Sequence, residues 1–149
     1  MRAVVQRVKT ASVEVKNKNI ASIDEGLVVF LGVAYGDTTE DAHYLAEKIT
    51  GLRIFEDKSG KMNKSVKDVN GAILVVSQFT LLGDVRKGRR PSFVKAAHPE
   101  KAEKLYKIFF ETCKKRVKDI KKGQFQAKML VKVKNDGPVT ILLDSKKKF

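Results

Sequence analysis

The sequence predicts an α+β fold: a largely antiparallel, barrel-like β-sheet with two main helices, in the order β-β-β-α-β-α-β-β, forming a single domain over residues 1–149. Three observations predict it. Strand-like patterns cluster at the two ends of the chain instead of alternating strictly with helices. Two segments between them carry apolar residues at helical spacing. No internal repeat and no Pro-, Gly- or Ser-rich linker divides the chain, whose 149 residues suffice to bury about two-thirds of the unfolded surface in one core.

The elements follow in order. Arg2 to Lys9 is extended, and Ala11, Val13 and Val15 then alternate with Ser12, Glu14 and Lys16, the period of a strand with one buried face. Asn17 to Asn19 is a polar break. Leu27 to Val33 is an unbroken apolar run, which predicts a central strand covered on both faces. Asp37 to Asp41 supplies cap and first-turn residues for a helix whose inward positions are Ala42, Leu45, Ile49 and Leu52. Ala72 to Val76 is a second buried strand. Pro99 opens a longer helix with the stripe Ala102, Leu105, Phe109, Cys113 and Val117, which places Cys113 in the core. Phe125, Ala127, Met129, Val131 and Val133 alternate with Gln126, Lys128, Leu130, Lys132 and Lys134 as a strand. After a turn at Asn135-Asp136-Gly137-Pro138, Val139 to Leu143 closes the sheet.

Charge and composition bound the function. Lys and Arg number 31 against 17 Asp and Glu, a net +14, so the molecule attracts polyanions. One cysteine allows neither an internal disulfide nor a cysteine-based zinc site. The opening residues lack the apolar core and cleavage site of a targeting peptide, and no apolar run is long enough to span a bilayer as a helix. The expectation is a soluble, cytoplasmic protein without a membrane partner. His43 and His98 are the only histidines, and neither stands beside a Ser or Cys. With no zinc-ligand spacing and no glycine-rich phosphate loop, neither a metal nor another cofactor is expected.

Three segments could carry chemistry. Ser77-Gln78-Phe79-Thr80 begins where a buried strand ends, a place where hydroxyls and backbone N–H groups emerge into a cleft. Capping by Ser and Thr with Phe79 in the core fits the composition equally well. Gly137-Pro138, on its residues alone, reads as an ordinary trans turn. Two basic runs, Arg86 to Arg90 and Lys114 to Lys122, read either as solvated faces or as phosphate-backbone contacts.

These segments occur together in one known family. The chain resembles the D-aminoacyl-tRNA deacylases through Gln6-Arg7-Val8, Ala11-Ser12-Val13, Gly26-Leu27, Leu31-Gly32-Val33, Arg53-Ile54-Phe55, Gly60-Lys61-Met62-Asn63, Ser77-Gln78-Phe79-Thr80-Leu81, Arg90-Pro91-Ser92-Phe93 and Asn135-Asp136-Gly137-Pro138-Val139-Thr140. The resemblance implies a homodimer with active sites at the interface, acting on the aminoacylated 3′ end of tRNA. It implies ester hydrolysis that releases a D-amino acid, rejects L-aminoacyl-tRNA and extends to glycyl-tRNA. Gly137 and Pro138, cis in that family, would enter the partner's pocket, where fixed main chain leaves room on only one side of the substrate α-carbon. Ser77, Gln78, Phe79 and Thr80 would form the catalytic face, with backbone N–H groups around Gln78 and Phe79 holding the oxyanion and Thr80 meeting the α-ammonium. Phe125 and Met129 match the family's adenosine-binding pair, although sheet core is the simpler account of their spacing. Arg7 would brace the Gly-Pro loop, where a surface ion pair is the simpler account, and Asn135 would support it.

Two other function classes stay open on the sequence. A non-catalytic RNA-binding module would satisfy the charge, and a small-ester or D-peptide hydrolase would act without RNA.

Overall fold

The structure is a computed structural model describing residues 1–149. The first strand, β1 (Arg2–Val15), turns into β2 (Lys18–Ile23) through Lys16 and Asn17, both at positive φ (49° and 61°). A two-residue loop with two left-handed residues matches the twist of a hairpin. β3 (Gly26–Gly32) pairs antiparallel with the first half of β1, Arg2 opposite Gly32 and Val8 opposite Gly26. β6 (Ala72–Ser77) lies parallel to β3, and the chain between them holds α1 (Thr39–Thr50) and a small hairpin of β4 (Phe55–Glu56) and β5 (Met62–Lys64). β7 (Ile120–Lys122) is parallel to β6 after α2 (Pro99–Lys114). β8 (Leu130–Asp144) runs antiparallel along nearly the whole of β1.

The sheet is therefore antiparallel where hairpins and β8 build it, and parallel where a helix crosses over. β4, β5 and β7 are too short to leave a periodic signature in the sequence. The second half of β1, with β2 and the start of β8, folds across the sheet so that β2 comes against β6 and β7. This nearly closes a barrel, with Val8, Val13, Ile23, Val28, Leu74 and Val76 inside it. The other core lies under the helices and contains Val5, Leu27, Leu31, Leu45, Ile49, Ile73 and Phe109. β3 is buried on both faces because it serves both cores.

Local chemistry sets the helix ends. Thr38 caps α1 in a capping box with Asp41, whose carboxylate accepts the Thr38 N–H at 2.8 Å. Leu52, expected in α1, lies just beyond its end, and Val117 lies beyond α2 yet stays buried. Pro99 occupies the first turn of α2, where its missing N–H costs nothing. Tyr106 of α2 donates its hydroxyl to the Val75 carbonyl at 3.0 Å, and burial raises its ionisation well above the ordinary phenol. Neither helix is long and apolar enough to cross a membrane.

Two expectations at the C-terminal third need correction. Residues 125–129 are not a strand: the strand begins at Leu130, and the preceding segment turns at Gln126 with φ 61°. The strand and the closing strand are also one element, β8, with Asn135 to Val139 as an excursion inside it. Asn135 faces Val8 and Thr140 faces Gln6, so residues 136–139 bulge opposite Arg7 alone, with Gly137 and Pro138 exposed and Val139 turned back into the core.

Candidate active site

The site forms where β6 runs out. The Gln78 N–H makes the last ladder bond, to the Leu31 carbonyl at 2.8 Å, and Gln78 then leaves the strand at φ −145°, ψ 78°. A 3-10 turn over Phe79–Leu82 follows, tied by Leu81 N–H to the Gln78 carbonyl (3.3 Å) and Gly83 N–H to the Thr80 carbonyl (3.0 Å). Gly32 makes the turn possible, since a Cβ there would stand 2.9 Å from the Gln78 carbonyl oxygen. Because the opening N–H groups of such a turn have no carbonyl partner within it, those of Phe79 and Thr80 remain available. The Gln78 N–H, expected to share in oxyanion binding, is spent on Leu31.

Beside this turn lies a cavity of about 590 Å³. Leu31, Val33 and Val76 form its floor, Ser77, Gln78 and Phe79 one wall, and Pro99, Ala102 and Tyr106 of α2 another. The segment before β8 crosses the remaining side with Phe125 and Met129. The Phe125 ring packs 5.9 Å from that of Tyr106. Met129 reaches close over Gly123, where a Cβ would lie 2.6 Å from its sulfur. The lining is mainly apolar and contains no histidine or carboxylate. Volume and lining are those of a small-molecule site.

The structure thus brings Ser77, Gln78, Phe79, Phe125 and Met129 together. Thr80 is exposed just outside, its hydroxyl accepting a hydrogen bond from the Gln78 side-chain amide. Gly137 and Pro138 are elsewhere in the same chain. Their loop lies opposite Arg7, at the level of Leu27 and Ile73, whereas Ser77 pairs with Leu31. Four residues along the strand direction, roughly 13 Å, and three strands across separate them.

A sequence model of the family described as D-Tyr-tRNA(Tyr) deacylase matches residues 4–144. The chain belongs to this family. It is 60% identical to the D-aminoacyl-tRNA deacylase of Caldicellulosiruptor saccharolyticus and 58% identical to that of Clostridium tetani, each over the full length of both chains. Among solved structures, a c-Myc DNA unwinding element binding protein superposes with a TM-score of 0.91 at 48% identity, covering 97% of this chain and 98% of that one. A probable eukaryotic D-amino acid tRNA deacylase shares the fold, with a TM-score of 0.81 at 17% identity over 95% and 97% of the two chains.

In this deacylase-family chain the Gly137–Pro138 peptide is cis, with Gly137 at φ 127°. The loop is held from beneath. Arg7 does ion-pair, with Asp136 at 3.5 Å and Glu56 at 3.9 Å, but from a buried position: its Nη1 donates to the Ile54 carbonyl at 2.8 Å and its Nε to the Asp136 carbonyl at 3.1 Å. A Cβ on Gly137 would stand 3.1 Å from Arg7 Nη2. Asn135 ties the base of the loop, its Oδ1 accepting the Val139 N–H at 3.0 Å and its Nδ2 donating to Thr140 Oγ1 at 3.1 Å.

Sequence reasoning missed the contributions of Pro99, Ala102 and Tyr106. Ala102 sat in a stripe assigned to the core, and nothing in the period of an amphipathic helix marks which turn abuts a cavity. It also missed Phe93, whose ring meets Phe79 edge-on at 5.0 Å. That contact seats the basic loop 84–92, closed by the Asp84–Ser92 bridge, beside the cavity mouth. Within the loop Arg86 pairs with Asp84, whereas Lys87, Arg89 and Arg90 are exposed and form no ion pair.

Proposed function

We propose that this protein hydrolyses the ester joining a D-amino acid to the 3′ end of tRNA, rejects the L-ester, and hydrolyses glycyl-tRNA as well. One observation supports this reading above the others: the apolar cavity sets unspent N–H groups at the end of β6 opposite Phe125 and Met129. A flat apolar base and a polar ester carbonyl attached to it need those two surfaces at opposite sides of one pocket.

In this reading the terminal adenosine sits against Phe125 and Met129, and the ester carbonyl rests on the Phe79 N–H, with the Thr80 N–H beside it. As the tetrahedral intermediate forms, negative charge gathers on that oxygen, where one such donor contributes about 3–4 kcal/mol in acyl transfer. Thr80 meets the substrate α-ammonium, and Ser77 supports the turn. The attacking group is water. Its oxygen adds to the carbonyl carbon, the bond to the ribose 3′-oxygen breaks, and the leaving oxygen takes the proton, with the neighbouring 2′-hydroxyl assisting the transfer. Thr80 is a poor alternative nucleophile, because its hydroxyl is hydrogen-bonded to the Gln78 amide and no histidine or carboxylate lines the cavity.

Handedness is read by a second copy of the chain. The loop of Gly137 and Pro138 is too far from Ser77 to act in its own subunit, so it serves the partner's cavity as a rigid main-chain wall braced by Arg7 and Asn135. An L side chain would collide with that wall. A D side chain points away from it, and glycine has nothing to exclude.

Purified protein given D-tyrosyl-tRNA and L-tyrosyl-tRNA in parallel tests the reading. Release of D-tyrosine with L-tyrosine left attached supports it; equal release, or release of neither, ends it. The Thr80→Ala variant should keep measurable activity, and complete loss at any enzyme concentration would restore Thr80 as nucleophile. Mixing a Phe79→Pro chain, defective in the cavity, with a Gly137→Val chain, defective in the loop, tests the shared site. Hybrids should regain rejection of the L-ester, which Gly137→Val alone hydrolyses, only if each cavity takes its loop from the other copy.

A further inference from the structure

The cavity does not end at α2 but runs on toward Tyr35 and Phe93. A second, shallower groove of about 530 Å³ shares Ala96, Ala97 and Pro99 with it. Its outer walls are Tyr35, Phe93 and His98. Backbone bonds from Tyr35 N–H to the Lys95 carbonyl and from Ala97 N–H to the Val33 carbonyl, both 2.9 Å, zip residues 33–35 to 95–97. Tyr35 is thereby fixed beside the cavity, yet 67% of it remains exposed, and Val94 is 85% exposed. Lys101 Nζ stands 5.7 Å from the Tyr35 ring centroid. The edge-on contact of Phe93 with Phe79 makes the aromatic wall of the groove continuous with the cavity rim.

Charge around this groove is uneven. On the Phe93 side stand the unpaired cations of the loop, Lys87, Arg89 and Arg90. On the α1 side, Glu40 and Glu100 stand among Lys101 and Lys104, leaving little net field. A polyanion leaving the cavity is drawn along the groove toward the loop. Exposed aromatic faces beside a run of cations are what an unpaired nucleic-acid strand needs, the bases stacking and the phosphates pairing.

We infer that this groove, with loop 84–92, holds the unpaired nucleotides preceding the terminal adenosine of the substrate tRNA, with bases on Tyr35 and Phe93 and phosphates on Lys87, Arg89 and Arg90. The inference rests on the deacylase reading of the adjoining cavity. It makes the groove responsible for preferring tRNA over a small ester.

The test compares D-tyrosyl-tRNA with the D-tyrosyl ester of adenosine, which lacks the preceding nucleotides. Tyr35→Ala should lower the ratio of the two kcat/KM values about tenfold. The triple variant Lys87→Gln, Arg89→Gln, Arg90→Gln should lower it similarly and make the log–log salt dependence on tRNA shallower by about 2, at about 0.7 per single-strand phosphate contact. The variant Lys114→Gln, Lys115→Gln, Lys118→Gln removes the same charge at the far end of α2 and should leave the ratio within twofold. An unchanged ratio in the groove variants, an equal effect of both triple variants, or a halved mass of Tyr35→Ala by light scattering would overturn the inference, the last by making the groove a contact between copies. Binding of a fluorescent RNA oligonucleotide with the tRNA 3′-terminal sequence requires no hydrolysis. If wild type releases no D-tyrosine but this RNA binds and both groove variants weaken it, the deacylase reading fails and the groove stands; equal binding by all variants overturns the groove.

Discussion

Cys113 shows how one position joins the sequence pattern to a chemical property. Its place in the α2 stripe predicts burial, and in the fold it is fully covered, with its thiol pushed up to about 12 by desolvation despite the nearby Arg116. An unfolded thiol ionises near 8.5. Between those values the native state keeps a proton that the unfolded state loses, so this group subtracts stability as pH rises from about 8.5 toward 12. A thiol reagent at neutral pH should label native protein negligibly and label one thiol per chain in urea; rapid native labelling would contradict the burial. Arg7 was legible only in part. A lone arginine in a strand gives no sign of depth, and its burial arises because the bulge in β8 places the Asp136 carbonyl above it and Ile54 below.

Single elements depend on close approaches and caps that pattern shows unevenly. Burial alone would raise the Asp41 carboxyl, but hydrogen bonds from Lys146, Ser145 and the Thr38 backbone hold it well below the usual carboxylate range. A depressed native value contributes stability above the unfolded value near 3.9 and loses it as pH falls below that. Asp41→Asn should therefore cost about 1 kcal/mol at neutral pH, the usual value of a helix cap. The gap from wild type in urea titrations should narrow below pH 4; a gap constant down to pH 2 would contradict the assignment. Gly26 marks the tightest contact of the sheet, since a Cβ would lie 1.9 Å from the Ala72 carbonyl oxygen. Gly26→Ala must part β3 from β6, at about 3 kcal/mol, and unchanged thermal unfolding would show that the strands do not meet so closely. The order of the long elements was readable because β3, β6 and the helices bury long apolar runs or stripes. Residues 125–129 were misread because a segment crossing a cavity also alternates inward and outward positions, and periodicity cannot distinguish it from a strand.

Across the whole molecule, the cavity and the Gly-Pro loop lie apart in one chain, and neither composition nor spacing expresses that separation. The motifs were legible as motifs; their distance was not, because it follows from the register of β1 with β3 and β8. The account's central claim is that main chain of residues 137 and 138 reads substrate handedness. The most direct test is the ratio of D-tyrosyl-tRNA to L-tyrosyl-tRNA hydrolysis by wild type and by a Gly137→Val, Pro138→Ala variant, with the solution mass of the two compared. The account predicts that the ratio falls at least about tenfold, a loss of about 1.4 kcal/mol of discrimination, because the L-ester is no longer shut out. A folded variant of unchanged mass that still rejects the L-ester as wild type does, or that loses both rates in equal proportion, would contradict it.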